Sequence, residues 1–190
     1  PALAEVVWSP KENRNWQSFN QRLQNHLRAY EQKGLHYCPG NYTVSIKPVA
    51  QSGKLFVSLS SDIVGSEIYY TLDGTEPTLS SNKYVQPIEI NSSVLVKTST
   101  VVNGRIMGVQ AARQSFAMHK GIGKNVNYTN PVSRHYMADG PNSLIDGVRG
   151  TNAVTKFWHG FSGKDLIATI DLGEAKTIQN IALGCLQNYN

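Results

Sequence analysis

Few residues in this 190-residue sequence combine type and spacing in a way that could do chemistry. Asp73 and Glu76 stand three positions apart after an Ile68–Leu72 run. Two such carboxylates could hold a calcium ion or act as an acid and a base. The preferred reading is structural, with Asp73 capping its own turn and Glu76 solvated. Asp146, in Ser143-Leu144-Ile145-Asp146-Gly147, could join backbone carbonyls around a calcium, but the preferred reading is a simple turn-capping role. Trp158, in Phe157-Trp158-His159-Gly160-Phe161, could be a stacking platform for a sugar ring, or Trp158 and Phe161 could be core. The five histidines (His26, His36, His119, His135, His159) have no metal-binding spacing. Cys38 and Cys185 lie 147 positions apart, outside any CxxC or Cys/His pattern, and read as two free, mostly buried thiols. There is no Gly-x-Ser-x-Gly elbow and no phosphate loop.

Composition narrows the classes further. Charged residues are 16% of the chain and hydrophobic residues 40%, enough apolar content for a packed core. No apolar run exceeds three residues, so no transmembrane helix is read, since one needs about 20. The net charge is +5, but no three Lys or Arg are adjacent, and a nucleic-acid partner is not expected. Sparse charge with abundant Gly, Asn, Ser and Thr suits a loop-rich β protein working outside the cytoplasm.

Three segments must position these residues. Up to about residue 36 the chain reads as helical. Ser9, Pro10 and Glu12 suggest an N-cap, a first-turn proline and a capping box. Trp16, Phe19, Leu23, Leu27 and Tyr30 then form one stripe at a period of about 3.6 residues, closed by Gly34. From about 41 to 119 the period falls to about 2, as in Leu55-Val57-Leu59 and Ile68-Tyr70-Leu72. Further strands are expected near Val44–Val49, Ile88–Ile90, Val94–Val102 and Ile106–Phe116, with hairpin turns at Asp73-Gly74 and Asn103-Gly104. Six to seven short strands read as an antiparallel, immunoglobulin-like β-sandwich. Residues 120–130 form a polar, Gly-rich connector, and a second β pattern follows, with strands expected at Ile167–Leu172 and from Ile178 to Leu183.

The residues now on the page resemble a known family. Pro1 to Glu12, with Trp16, Phe19 and Arg22-Leu23, and the helix closing on Gly34-Leu35-His36-Tyr37, resemble the end of the catalytic barrel of family 20 glycoside hydrolases, the β-N-acetylhexosaminidases. Tyr69-Tyr70-Thr71-Leu72-Asp73-Gly74-Thr75-Glu76-Pro77 is similar to the small β-sandwich that follows that barrel in many bacterial members. Leu144 to Gly147, Trp158 to Phe161 and Ile170 to Gly173 look like the start of a discoidin (factor 5/8 type C) domain, a jelly roll that often binds sugars.

The resemblance implies a mainly β chain with N-terminal helices: residues 1–37 as the last helices of a (β/α)8 barrel, 38–120 as the C-terminal sandwich, and 121–190 as the first part of a discoidin-like carbohydrate-binding domain. It implies a parent that hydrolyses terminal N-acetylhexosamine from glycans in the periplasm or at the cell surface. The family's Asp-Glu pair lies upstream of the matching segment, so no catalytic residue carries over, and the chain alone is expected to be inactive. No cofactor is implied beyond a structural calcium near Asp146; the only substrate-binding candidate is Trp158. The other reading is a non-catalytic carbohydrate-binding or adhesion protein built from β-sandwiches, against which the helical first segment argues.

Overall fold

A computed structural model describes residues 2–36, 42–51, 53–151 and 153–186. Cys38, and with it the reading of that thiol, lies outside the described residues; Cys185 has a free thiol but is exposed, not buried as expected, because the stretch around it joins no sheet among the described residues.

Helix α1 (Ala2–Trp8) leads into a 3-10 turn (Lys11–Asn13) and then helix α2 (Trp16–Gln32). The cap expected at Ser9 does not start the long helix. Pro10 and Arg14 are extended (ψ 144° and 117°), so the chain makes only one tight turn between them. Asn15 caps α2 instead, its side chain accepting from Ser18 N at 2.9 Å. At the other end Gly34 takes φ +64°; its N–H donates to Glu31 O and that of Leu35 to Tyr30 O. These two bonds are the paired closure of a Schellman motif. The stripe buries Phe19 and Leu27, while Trp16 stays 60% exposed. Asn20, also buried, donates its side-chain amide to Asp62 O and so ties α2 to the loop after β2.

Among the described residues seven strands follow: β1 (Ser45–Gln51), β2 (Lys54–Ser60), β3 (Glu67–Thr71), β4 (Asn82–Lys83), β5 (Ile88–Ile90), β6 (Val94–Val102) and β7 (Arg105–Phe116). They form two antiparallel sheets, β1-β2-β5 and β4-β3-β6-β7. Period-2 alternation explains the core. Leu55, Val57 and Leu59 point one way from β2 and Ile90 joins them from β5; Ile68, Val96 and Phe116 come from the other sheet. Pro48 sits in the edge strand β1, where a missing N–H leaves no ladder bond unmade. The Asn103-Gly104 turn joins β6 to β7 with both residues at positive φ (50° and 72°), the conformation a tight hairpin with right-handed twist requires.

Asp73-Gly74 does something different from the expected hairpin. Asp73 Oδ1 accepts from the N–H and hydroxyl of Thr75, at 3.0 and 2.6 Å. The turn opens a long loop to the short strand β4, because Asp73 bridges to Leu95 instead of starting a return strand. Glu76 is exposed and pairs with Lys97 at 2.5 Å.

Beyond β7 regular structure thins out. Strand β8 (Val126–Tyr128) pairs antiparallel with β9 (Ala168–Ile170), and a one-turn helix α3 (Val154–Phe157) lies between them. The strand expected from Ile178 to Leu183 does not form: Ile178, Ile181 and Leu183 are 45%, 91% and 56% exposed, with no neighbouring strand to pair with among the described residues. The expected connector is packed at its centre, since Ile122 belongs to the sandwich core.

Candidate functional site

The candidate residues lie in the loops that β8 and β9 hold together. Asp146 follows the same local rule as Asp73: its Oδ1 accepts from Val148 N at 2.7 Å, two residues on. Asp171 repeats it with Gly173 N at 2.7 Å. What distinguishes Asp146 is its surroundings. It lines a cleft of about 200 Å³ with Pro48, Ala50 and Leu55 of the sandwich, and with Lys124 and Asp139. Burial pushes its carboxyl up to about 6, against the opposing pull of the Val148 N–H; the charge of Asp139 adds to the rise. Calcium needs ionised carboxylates and several oxygens. Here one oxygen already accepts a backbone N–H, burial raises the carboxyl toward about 6, and no group of three or more His, Cys, Asp or Glu is placed to hold a metal among the described residues.

Trp158 is half-buried, and its ring lies on the backbone of Gly150: a Cβ there would meet the indole at 2.5 Å. Its indole N–H donates to Thr151 O at 2.6 Å. Both contacts fix the ring within its own loop, and among the described residues no hydrogen bond or ring contact joins it to Asp146.

His159, next in sequence, is the better-connected side chain. Its Nε2 lies 3.1 Å from Met137 O and 2.9 Å from Gly140 O, and carbonyl oxygens only accept, so this nitrogen carries a proton. Its Nδ1 faces the Tyr128 hydroxyl at 3.0 Å, which also reaches Pro141 O at 3.0 Å. Tyr128 meets the His159 ring edge-on at 5.5 Å and the Phe161 ring at 5.9 Å. Burial raises the Tyr128 hydroxyl above its ordinary range, so it stays protonated near neutrality. The network clamps the 137–141 loop onto β8. Spacing among histidines could not have found it, because its partners are carbonyls and a tyrosine more than 30 residues away; the string Trp158-His159-Gly160-Phe161 pointed to the place but not to the role.

Comparison with known proteins adds to this geometry. Residues 50–110 match the family model described as the Chitobiase/beta-hexosaminidase C-terminal domain. The match begins at the end of β1, ends within β7, and contains the Asp73–Glu76 loop. A Beta-hexosaminidase from Porphyromonas gingivalis is 31% identical over 127 residues, covering 62% of this chain and 16% of that protein. The chain therefore spans about one sixth of the length of that curated relative. Over residues 50–110, most of the two-sheet sandwich, this chain is similar to the C-terminal domain of chitobiases and β-hexosaminidases.

Proposed function

We propose that the chain is the C-terminal part of a β-N-acetylhexosaminidase that removes terminal N-acetylhexosamine from glycans in the periplasm or at the cell surface. The observation that carries this reading is the match of residues 50–110 to the hexosaminidase C-terminal domain, whose strands are those of the sandwich. The similarity to the Porphyromonas gingivalis protein supports it. In this reading the immunoglobulin-like sandwich braces a catalytic barrel, helices α1 and α2 belong to that barrel, and residues 121–190 begin a discoidin-like module that contacts glycan.

The chemistry is assigned to the parent and not to this chain. Glu5 pairs with Arg22, Glu67 with Lys83, Glu76 with Lys97 and Glu89 with Lys54, so each of these carboxylates already serves a surface ion pair. The test compares the 190-residue chain with the full-length protein on a chromogenic β-N-acetylglucosaminide. Turnover by the full-length protein and none by the chain is expected. Turnover by the chain would place the chemistry here, and an inert full-length protein would remove the hexosaminidase reading altogether.

A further inference from the structure

The seam between the sandwich and the segment after it is unusually close. Gly123 takes φ +73°, and a Cβ there would meet the backbone of Gly53, in the β1–β2 turn, at 2.4 Å from its carbonyl carbon. Two backbones thus touch through two glycines, with no side chain available to give way. At a second point Gly147, φ +81°, leaves room for Ala117 O and Ile122 Cδ1, each 3.1 Å from where its Cβ would stand. Ladder-like pairing runs through the same place: Phe116 bridges Val148, and Ala117 N donates to Gly147 O at 2.8 Å. Met118 N donates back to Ser93 Oγ at 2.9 Å. Ile122 completes the sandwich core beside Leu55, Val148 packs against that core, and Ile145 is 6% exposed.

An ordinary linker between domains is exposed, and few contacts cross it. This joint has the opposite character. It buries apolar side chains from both sides and satisfies backbone groups across the boundary. Residues 139–143, 145 and 146 of the same segment line the cleft with Pro48 and Ala50, and this stretch is anchored to β8 by Val126 N, which donates to Asn142 Oδ1 at 3.1 Å. Contacts therefore run without a break from β1 and β2, through 117–123 and 145–148, to β8 and the Tyr128–His159 network.

We propose that this seam is a hingeless joint: the sandwich and the segment through β8 fold as one cooperative unit, which holds the Tyr128–His159–Phe161 cluster at a fixed orientation to the sandwich. The inference stands on this chain's own contacts and is independent of the hexosaminidase reading.

Native-state hydrogen exchange on the full chain tests it. The amides of Ala117 and Val126 report the joint and the segment beyond it; the amide of Val96 in β6 reports the sandwich core. One unit predicts that all three exchange through the same global opening, with protection factors within about threefold of one another and the same denaturant dependence. Protection at Val126 a hundredfold or more below that at Val96 would overturn the joint. The variant Gly123→Ala forces backbone against backbone and is expected to reduce protection at Val96 and Val126 together, by roughly tenfold to a hundredfold. A loss confined to Val126, with Val96 unchanged, would also overturn it. Because the first measurement uses the unaltered chain, the inference stays testable even if that variant fails to fold.

Discussion

Asp146 shows how one side chain can be well bonded and still carry a cost. Its carboxylate accepts the Val148 N–H, yet burial at the cleft pushes it up to about 6 from an ordinary 3.8. The folded chain thus holds this proton more tightly than the unfolded chain does. Folding stability contributed here is fully present below about pH 4, declines as pH rises, and is lost once pH passes about 6. The full difference is about 3 kcal/mol, and contact of the carboxyl with water reduces it to about 1 kcal/mol. Asp146→Asn keeps an oxygen to accept from Val148 N but carries no charge. At pH 7.5 it is expected to be more stable than the parent by about 1 kcal/mol in urea unfolding, with the two converging by pH 4. A variant less stable than its parent at pH 7.5 would mean that the ionised form is the one the fold prefers. The turn-capping side of this residue was legible in the sequence, since Asp73, Asp146 and Asp171 all bond two residues ahead. Its burial was not, because the apolar wall comes from β1 and β2, about 90 positions earlier.

At the scale of elements, α2 depends on one residue at its start. Asn15 supplies the only side-chain bond among the described cap contacts at that end, while Gly34 closes the other end through backbone alone. Asn15→Ala is expected to lower the stability of the helix by about 1 kcal/mol, and Asn15→Ser to restore most of it, read from helical circular dichroism during thermal unfolding. Equal melting of Asn15→Ala and parent would show that tertiary contacts at Phe19 and Leu27 hold the helix without its cap. The same element shows what a sequence can disclose. The apolar stripe and its glycine stop were readable because both are local. Its starting point is not at Ser9, although Ser-Pro-x-Glu satisfies the capping pattern, because the extended backbone at Pro10 and Arg14 confines that pattern to one tight turn. Sandwich strands were legible for a related reason: β2, β5 and β6 carry their own alternation or apolar runs, and Asn-Gly announces the β6–β7 turn. After β7 the chain is mostly loop, held by carbonyls, glycines and distant rings, none of which leaves a period. An apolar run such as Ile178–Leu183 becomes a strand only when an edge is there to receive it.

The whole molecule presents an imbalance at its helical end. Leu3, Val6, Val7 and Trp8 of α1 are 76%, 55%, 64% and 83% exposed, and no residue of α1 is buried. What fastens α1 is polar: Glu5 to Arg22 at 2.7 Å, and Arg14 donating to Ser9 O and Val6 O at 3.0 and 2.6 Å. Surface ion pairs of this kind contribute at most about 1 kcal/mol and weaken with salt, whereas four large apolar side chains gain several kcal/mol on leaving water. Salt therefore works in one direction on this end of the molecule, loosening α1 from α2 while strengthening apolar contact. The isolated chain is expected to self-associate through α1, more strongly in sulfate than in dilute buffer, as read by sedimentation velocity over a range of concentrations. Leu3→Gln with Trp8→Gln changes only exposed positions, so the sandwich should keep its melting temperature while the association weakens by about tenfold or more. Association that survives this pair of changes but disappears with Ile181→Gln would move the sticky surface to the other end, where Ile181 is 91% exposed.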